Sequence, residues 1–207
     1  ALIGVSIPDG VAGIGDEAFA GCESLQSIGF PAMVSSIGNN IILGCKSLQS
    51  VVLPTKVSRI GDLAFTGCES LVQIAIPANV SKIVDRAFFG CKSLKSIKLP
   101  NSVGCLGESA FAGCESLQDI DIPSNITLIK KSAFEGCGSL QRISIPVKVT
   151  CIEDRTFFGC KSLLSIEIPE RVTTIGERAF DCCWSLQNIK LPSSITKIGH
   201  GAFHNCK

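Results

Sequence analysis

Every proline in this chain lies 23 residues from the next: Pro8, Pro31, Pro54, Pro77, Pro100, Pro123, Pro146, Pro169 and Pro192. No insertion disturbs the count. A strict period of this size marks a solenoid, in which each repeat buries its apolar face only against its neighbours. Other residues keep the same period. Cysteines recur from Cys22 to Cys206, and a Ser-Leu pair recurs from Ser24-Leu25 to Ser185-Leu186. Phenylalanine holds positions 19, 65, 88, 111, 134, 157, 180 and 203, with Ile42 in the remaining slot. Counted from its leucines, the chain has nine turns, the last one residue short, and reads as a single domain over residues 1–207. It begins and ends within a turn and shows no polar end cap. It is therefore expected to be a fragment of a longer array.

The repetition governs how function is read. A residue that returns in every turn serves the stack. Only positions that change from turn to turn can distinguish one partner from another.

Composition excludes several classes. With 45% hydrophobic residues the chain can sustain a continuous stacked core, and its net charge of +1 gives no general attraction to nucleic acid. No uncharged apolar run approaches the roughly 18–20 residues of a membrane span, so no membrane insertion is expected. No phosphate loop or dinucleotide fingerprint is present, and no cofactor is expected. Of the twelve cysteines, nine share one column. Their parallel Cβ vectors oppose bridging even though stacked strands are about 4.8 Å apart. They read as a ladder of buried free thiols behaving as small hydrophobes. Cys105 and Cys151 share a second column two turns apart, and Cys182 stands alone. Free thiols are compatible with an intracellular or anaerobic setting.

The turn beginning at Leu71 reads LVQIAIPANVSKIVDRAFFGCKS. Ile-Ala-Ile at 74–76 alternates as a short strand does, and Pro77, lacking an N–H, ends it. Val80 and Ile83 point inward again as a looser second segment. Asp85 belongs to a mostly acidic column: Asp16, Asn39, Asp62, Asp85, Glu108, Lys131, Asp154, Glu177 and His200. Such residues suit the start of a short helix, where unpartnered N–H groups favour negative charge. Ala87 and Phe88 would pack that helical turn on the core, and Gly90-Cys91 would end it.

This pattern resembles the BspA-type, or Treponema-type, leucine-rich repeat, LxxIxLPxxLxxIGxxAFxGCxxL. The turn from Leu94, LKSIKLPNSVGCLGESAFAGCES, matches it at nearly every slot. Departures are local. Ile41-Ile42 replace Ala-Phe; Val84, Lys130 and Glu153 replace the first glycine; Cys182 and Asn205 replace the second. The resemblance implies an α/β solenoid, a right-handed superhelix of nine 23-residue turns with a parallel sheet on one face and short helical turns on the other. That helical segment argues against the rival fold, a parallel β-helix with three strands per turn. The resemblance also implies a non-enzymatic protein-interaction or adhesion module of a cell-surface or secreted protein. The partner it implies is a protein, such as a host matrix protein, or a glycan.

Candidate binding residues lie two and four places before each proline. One column reads Gly4, Ser27, Ser50, Gln73, Ser96, Asp119, Arg142, Ser165, Asn188. The other reads Ser6, Gly29, Val52, Ala75, Lys98, Asp121, Ser144, Glu167, Lys190. Both vary while their neighbours stay fixed. The charged part, Lys98, Asp119, Asp121, Arg142, Glu167, Asn188 and Lys190, is the candidate partner-binding face. A plain solvated sheet accounts for the same charges. Trp184, the only tryptophan, interrupts an exposed column of alternating charge (Glu23, Lys46, Glu69, Lys92, Glu115, Gly138, Lys161) and is added as a candidate contact. Packing against a neighbouring turn is the other account of it.

Signals for catalysis are poor. His200 and His204, four apart and followed by Cys206, would share a helix face but form no complete ligand set. No other histidine is available for a nucleophile system. Asp119 and Asp121 face the same way on an open sheet without the cleft that paired-carboxylate hydrolysis needs. Neither catalytic nor metal-binding residues are assigned. Asn79 and Asn125 are formal glycosylation acceptors. The alternative to a binding module is a structural spacer array that holds other domains away from a surface.

Overall fold

The computed structural model describes residues 1–207. The chain winds into about eight stacked turns, fewer than the leucine count. Its first turn contributes no strand to the second of the two sheet faces, and its last stops at Lys207.

The first sheet runs just before the prolines, as the alternating Ile-x-Ile pattern requires. Its strands are Gly4–Val5, Ser27–Gly29, Ser50–Val52, Ser96–Lys98, Asp119–Asp121, Ser165–Glu167 and Asn188–Lys190. Single bridges at Ala75 and Ser144 continue the face. All pairing is parallel, at a register of one period: Ser27 lies beside Ser50 and Lys98 beside Asp121. A second sheet of two-residue strands, from Ser36–Ile37 to Lys197–Ile198, occupies the segment read as looser. Its inner residues, such as Ile60 or Ile129, are buried except in the last strand, where Ile198 is exposed.

The expected helical turns are absent; the molecule has no helix. Two features prevent one. The N–H groups of Arg86, Phe88 and Gly90 donate to the carbonyls of Glu108, Ala110 and Ala112 in the next turn, at 2.8, 2.9 and 2.7 Å. Alternate amides thus bond between turns instead of within a helix. Arg86 and Gly90 also take left-handed φ, 55° and 70°, and the same two columns do so in the other turns. Left-handed residues four apart are incompatible with a right-handed helix. The segment is in any case too short to hold a helix against this competition.

The acidic column consequently has another role. Asp16 Oδ1 accepts from the Asn39 N–H at 2.7 Å, Asn39 Oδ1 from Asp62 N–H at 3.0 Å, Asp85 Oδ1 from Glu108 N–H at 2.8 Å, and Asp154 Oδ1 from Glu177 N–H at 2.6 Å. Each caps the backbone of the next turn, not its own. Burial pushes the Asp85 carboxyl up, but the Glu108 N–H and Lys130 outweigh it and hold the group below the usual range. The preceding glycine makes room for this bond. A Cβ on Gly107 would lie 2.5 Å from Asp85 N, and one on Gly176 2.5 Å from Asp154 N, far inside contact distance.

The interior is one continuous cluster of 56 buried residues. Seven phenylalanines from Phe65 to Phe203 stack with centroids 5.1–5.7 Å apart and nearly parallel planes. This is the offset arrangement that ring quadrupoles favour. Ile42 separates Phe19 from the ladder. Beside it, the thiols of Cys91, Cys114, Cys137 and Cys160 each donate to the carbonyl of the phenylalanine in the turn before, at 3.2 Å. That oxygen also accepts the N–H of the cysteine in its own turn, so both its lone pairs are used.

Candidate interaction surface

The first sheet has one face on the core and one in solvent. Alternation along a strand sends Ile97, Ile120 and Ile166 inward and leaves their neighbours exposed. Lys98, Asp119, Asp121, Arg142, Glu167, Asn188 and Lys190 all stand on this outer face. Parallel register sets Lys98 beside Asp121 and Glu167 beside Lys190, with Ser144 between the two pairs. From Lys98 to Lys190 the row extends roughly 19 Å at the usual strand spacing. None of these side chains closes a salt bridge; the seven ion pairs of the molecule lie elsewhere. Their charges are therefore open to a partner.

Trp184 does not belong to that row. It sits at the corner leading into the strand, 45% exposed, with Lys161 Nζ 4.7 Å above its ring. The cation–π contact replaces the ion pairs made earlier in the same column, Lys46 with Glu23 at 2.7 Å and Lys92 with Glu69 at 3.1 Å. The indole thus continues the inter-turn pairing that the alternating charges begin.

Beyond the proline, Val147, Lys148, Glu170 and Arg171 join Glu167, Ile145 and Ile168 around an open groove of about 570 Å³. It borders the charged row. Sequence reasoning passed over these corner positions, although their variation from turn to turn was available as a signal. It also passed over the outward column of the second sheet: Ser36, Arg59, Lys82, Cys105, Leu128, Cys151, Thr174 and Lys197. That segment was read only for its inward residues, such as Val80 and Ile83, which left its outward column unexamined.

Asp181 gathers several polar groups near the end of the chain. His204 Nδ1 lies 3.2 Å from Asp181 Oδ1, which also accepts from the Cys182 thiol at 3.3 Å and from Asn205 Nδ2 at 3.4 Å. Burial raises the Asp181 carboxyl, but these partners outweigh it and hold the group low. No group of three or more His, Cys, Asp or Glu is placed to hold a metal ion. All twelve cysteines are free, and burial pushes the Cys91 thiol up to about 12 and Cys45 to about 11. No helix is long and apolar enough to cross a membrane.

Comparison with known proteins agrees with this geometry. The chain matches the BspA type leucine rich repeat region over residues 1–103 and 81–207, in six copies. No curated protein matches it significantly. Among solved structures, it is similar to a leucine rich cell surface protein from Faecalibacterium prausnitzii, with 33% identity and a TM-score of 0.58 over 88% of this chain. It spans 64% of that protein's length. It is also similar to a leucine-rich repeat protein of T. pallidum, with 27% identity and a TM-score of 0.61, covering 90% of this chain and 78% of the other. A whole-length repeat match on a solenoid with this period and core places the chain in the BspA-type leucine-rich repeat family.

Proposed function

We propose that the chain is a non-enzymatic interaction module that binds a protein partner through the outer face of its first sheet. The contacts would come from Lys98, Asp119, Asp121, Arg142, Glu167, Asn188 and Lys190, with Trp184 at the flank. One observation carries this reading: a row of exposed charges, none in a salt bridge, is displayed by parallel strand pairing, with Lys98 beside Asp121 and Glu167 beside Lys190. Paired strands present these side chains from backbone that is already ordered, so binding there costs side-chain but not strand ordering. Charged arrays of this kind contribute selectivity and association rate more than bulk affinity. The F. prausnitzii neighbour is a cell surface protein, which supports placing this chain at the surface or outside the cell, in adhesion to a host matrix protein or a glycan.

The test is surface plasmon resonance of the purified chain against purified extracellular matrix proteins and a glycan array. The variant Lys98→Glu/Asp121→Lys/Glu167→Lys/Lys190→Glu is run in parallel. Saturable binding that weakens tenfold or more in the variant, at unchanged thermal stability, is the expected result. Binding that ignores the four reversals would remove this face from the account. A spacer array would show no binding across the panel, and reversal would leave the parent protein's activity intact.

A further inference from the structure

Both sheets are interrupted, and at the same two places. The first sheet pairs through Ser50–Val52, resumes at Ala75, pairs through Asp119–Asp121 and resumes at Ser144. The second pairs through Arg59–Ile60, resumes at Ile83, pairs through Leu128–Ile129 and resumes at Cys151–Ile152. Each gap falls between the same neighbouring turns on both faces.

Backbone hydrogen bonds fail at the same seams. Ser58, Gly104, Thr127, Thr173 and Thr196 each donate their N–H to the turn before; Ser81 and Thr150 do not. Gly61, Gly107, Lys130, Gly176 and Gly199 do the same from the next strand position, whereas Val84 and Glu153 do not. The side-chain cap given to Asp62, Glu108 and Glu177 is missing at Asp85 and Asp154; at the second seam a bond of opposite direction remains, Lys131 N–H donating to Glu153 Oε2 at 2.7 Å.

The sequence supplies the cause. Val84 and Glu153 stand in the column where Gly38, Gly61, Gly107, Gly176 and Gly199 approach the preceding turn too closely to carry a Cβ. A Cβ at this position does not fit the approach that the glycine turns make. Lys130 also lacks the glycine, yet keeps its backbone bond to Leu106 and turns its ammonium to Asp85 at 3.1 Å. The seam turns share DRAFFGCKSL at 85–94 and DRTFFGCKSL at 154–163, 69 residues apart, three times the basic period.

The third side crosses both seams unbroken. Phe65 N–H bonds Ala87 C=O at 2.9 Å and Phe134 N–H bonds Thr156 C=O at 3.0 Å. The rings stack across, Phe65 on Phe88 and Phe134 on Phe157. The first seam is open along both sheets. The second keeps only Gln141 N–H to Gln118 C=O at 3.4 Å and Lys131 N–H to Glu153 Oε2 at 2.7 Å there. Both are held mainly along the phenylalanine side.

We infer that the solenoid bends as three rigid blocks, residues 1–70, 71–139 and 140–207, about two hinges lying on the phenylalanine side. The second hinge divides the charged row between Asp121 and Ser144, so Lys98/Asp121 and Glu167/Lys190 move as separate patches. The inference stands on the free protein and is independent of what the sheet binds.

Residual dipolar couplings of the backbone amides in the free, full chain test it. The expected result is that each block fits its own alignment tensor well while one tensor for all three fits poorly. Val84→Gly/Glu153→Gly should restore the lost sheet bonds, bring the three tensors together and slow amide exchange at Ser81 and Thr150 by tenfold or more. A single tensor fitting all three blocks of the unmodified protein would overturn the inference without recourse to any variant.

Discussion

The glycine before the acidic column shows how much one missing Cβ controls. At Gly107 the next turn descends onto Asp85 so closely that its carboxylate reaches the Glu108 N–H. Gly107→Ala is expected to cost about 1–3 kcal/mol, since the added carbon forces backbone apart; urea unfolding measures it. The thiol column allows a second test. Burial raises the folded value of Cys91 from 9.0 to about 12 and of Cys45 to about 11. Between those values the unfolded chain has lost the proton that the folded chain keeps. The thiols' contribution is therefore whole below about pH 9 and is lost as pH rises toward 11–12. The urea midpoint should fall between pH 9 and 10.5, and a flat midpoint there would contradict it. Iodoacetamide on the folded protein should modify half-exposed Cys105 and Cys151 well before Cys91 or Cys114.

At the scale of elements, the first strand of each turn was legible because alternation before a proline has one physical meaning. The third side was not. Asp-Arg-Ala-Phe-Phe-Gly has the composition of a helical turn, and local propensity alone supports one. The winner was the amide of the next turn's partner carbonyl, which no single repeat contains. The acidic column was expected to start a helix in its own turn; with no helix there, its carboxylates instead accept from backbone 23 residues on. Phe111 tests the resulting ladder. Its ring is fully buried between Phe88 and Phe134, so Phe111→Ala should cost about 3–5 kcal/mol. Because each turn touches only its neighbours, amide exchange should rise most in the flanking turns, and a uniform rise along the chain would argue against nearest-neighbour stability.

For the molecule as a whole, the charged row on the first sheet is a surface property, not a stabilising one. Reversing Lys98, Asp121, Glu167 and Lys190 together keeps the alternation of sign and disturbs no salt bridge. Global stability should shift by no more than about 0.5 kcal/mol per site, as read from thermal melts, even where binding is lost. The candidate residues were legible because the period identifies which positions are free to vary. The groove by Val147 and the outer column of the second sheet were not, since a segment read as loose gives no alternation from which outward positions can be picked.

A period of 23 residues, read alone, determined the solenoid, the strand before each proline, the inward columns of Ile, Leu, Phe and Cys, and the exposed columns between them. These follow from local alternation and from identical residues having to stack on identical residues. Only the tertiary structure decided what lies between the proline and the cysteine. There a second sheet forms in the segment read as looser, a ladder of inter-turn bonds replaces the helix, and two seams fall at Val84 and Glu153, where side chains stand in place of glycine. The reason is common to all three: each depends on how closely one turn approaches the next, a distance set between repeats and absent from any repeat taken singly.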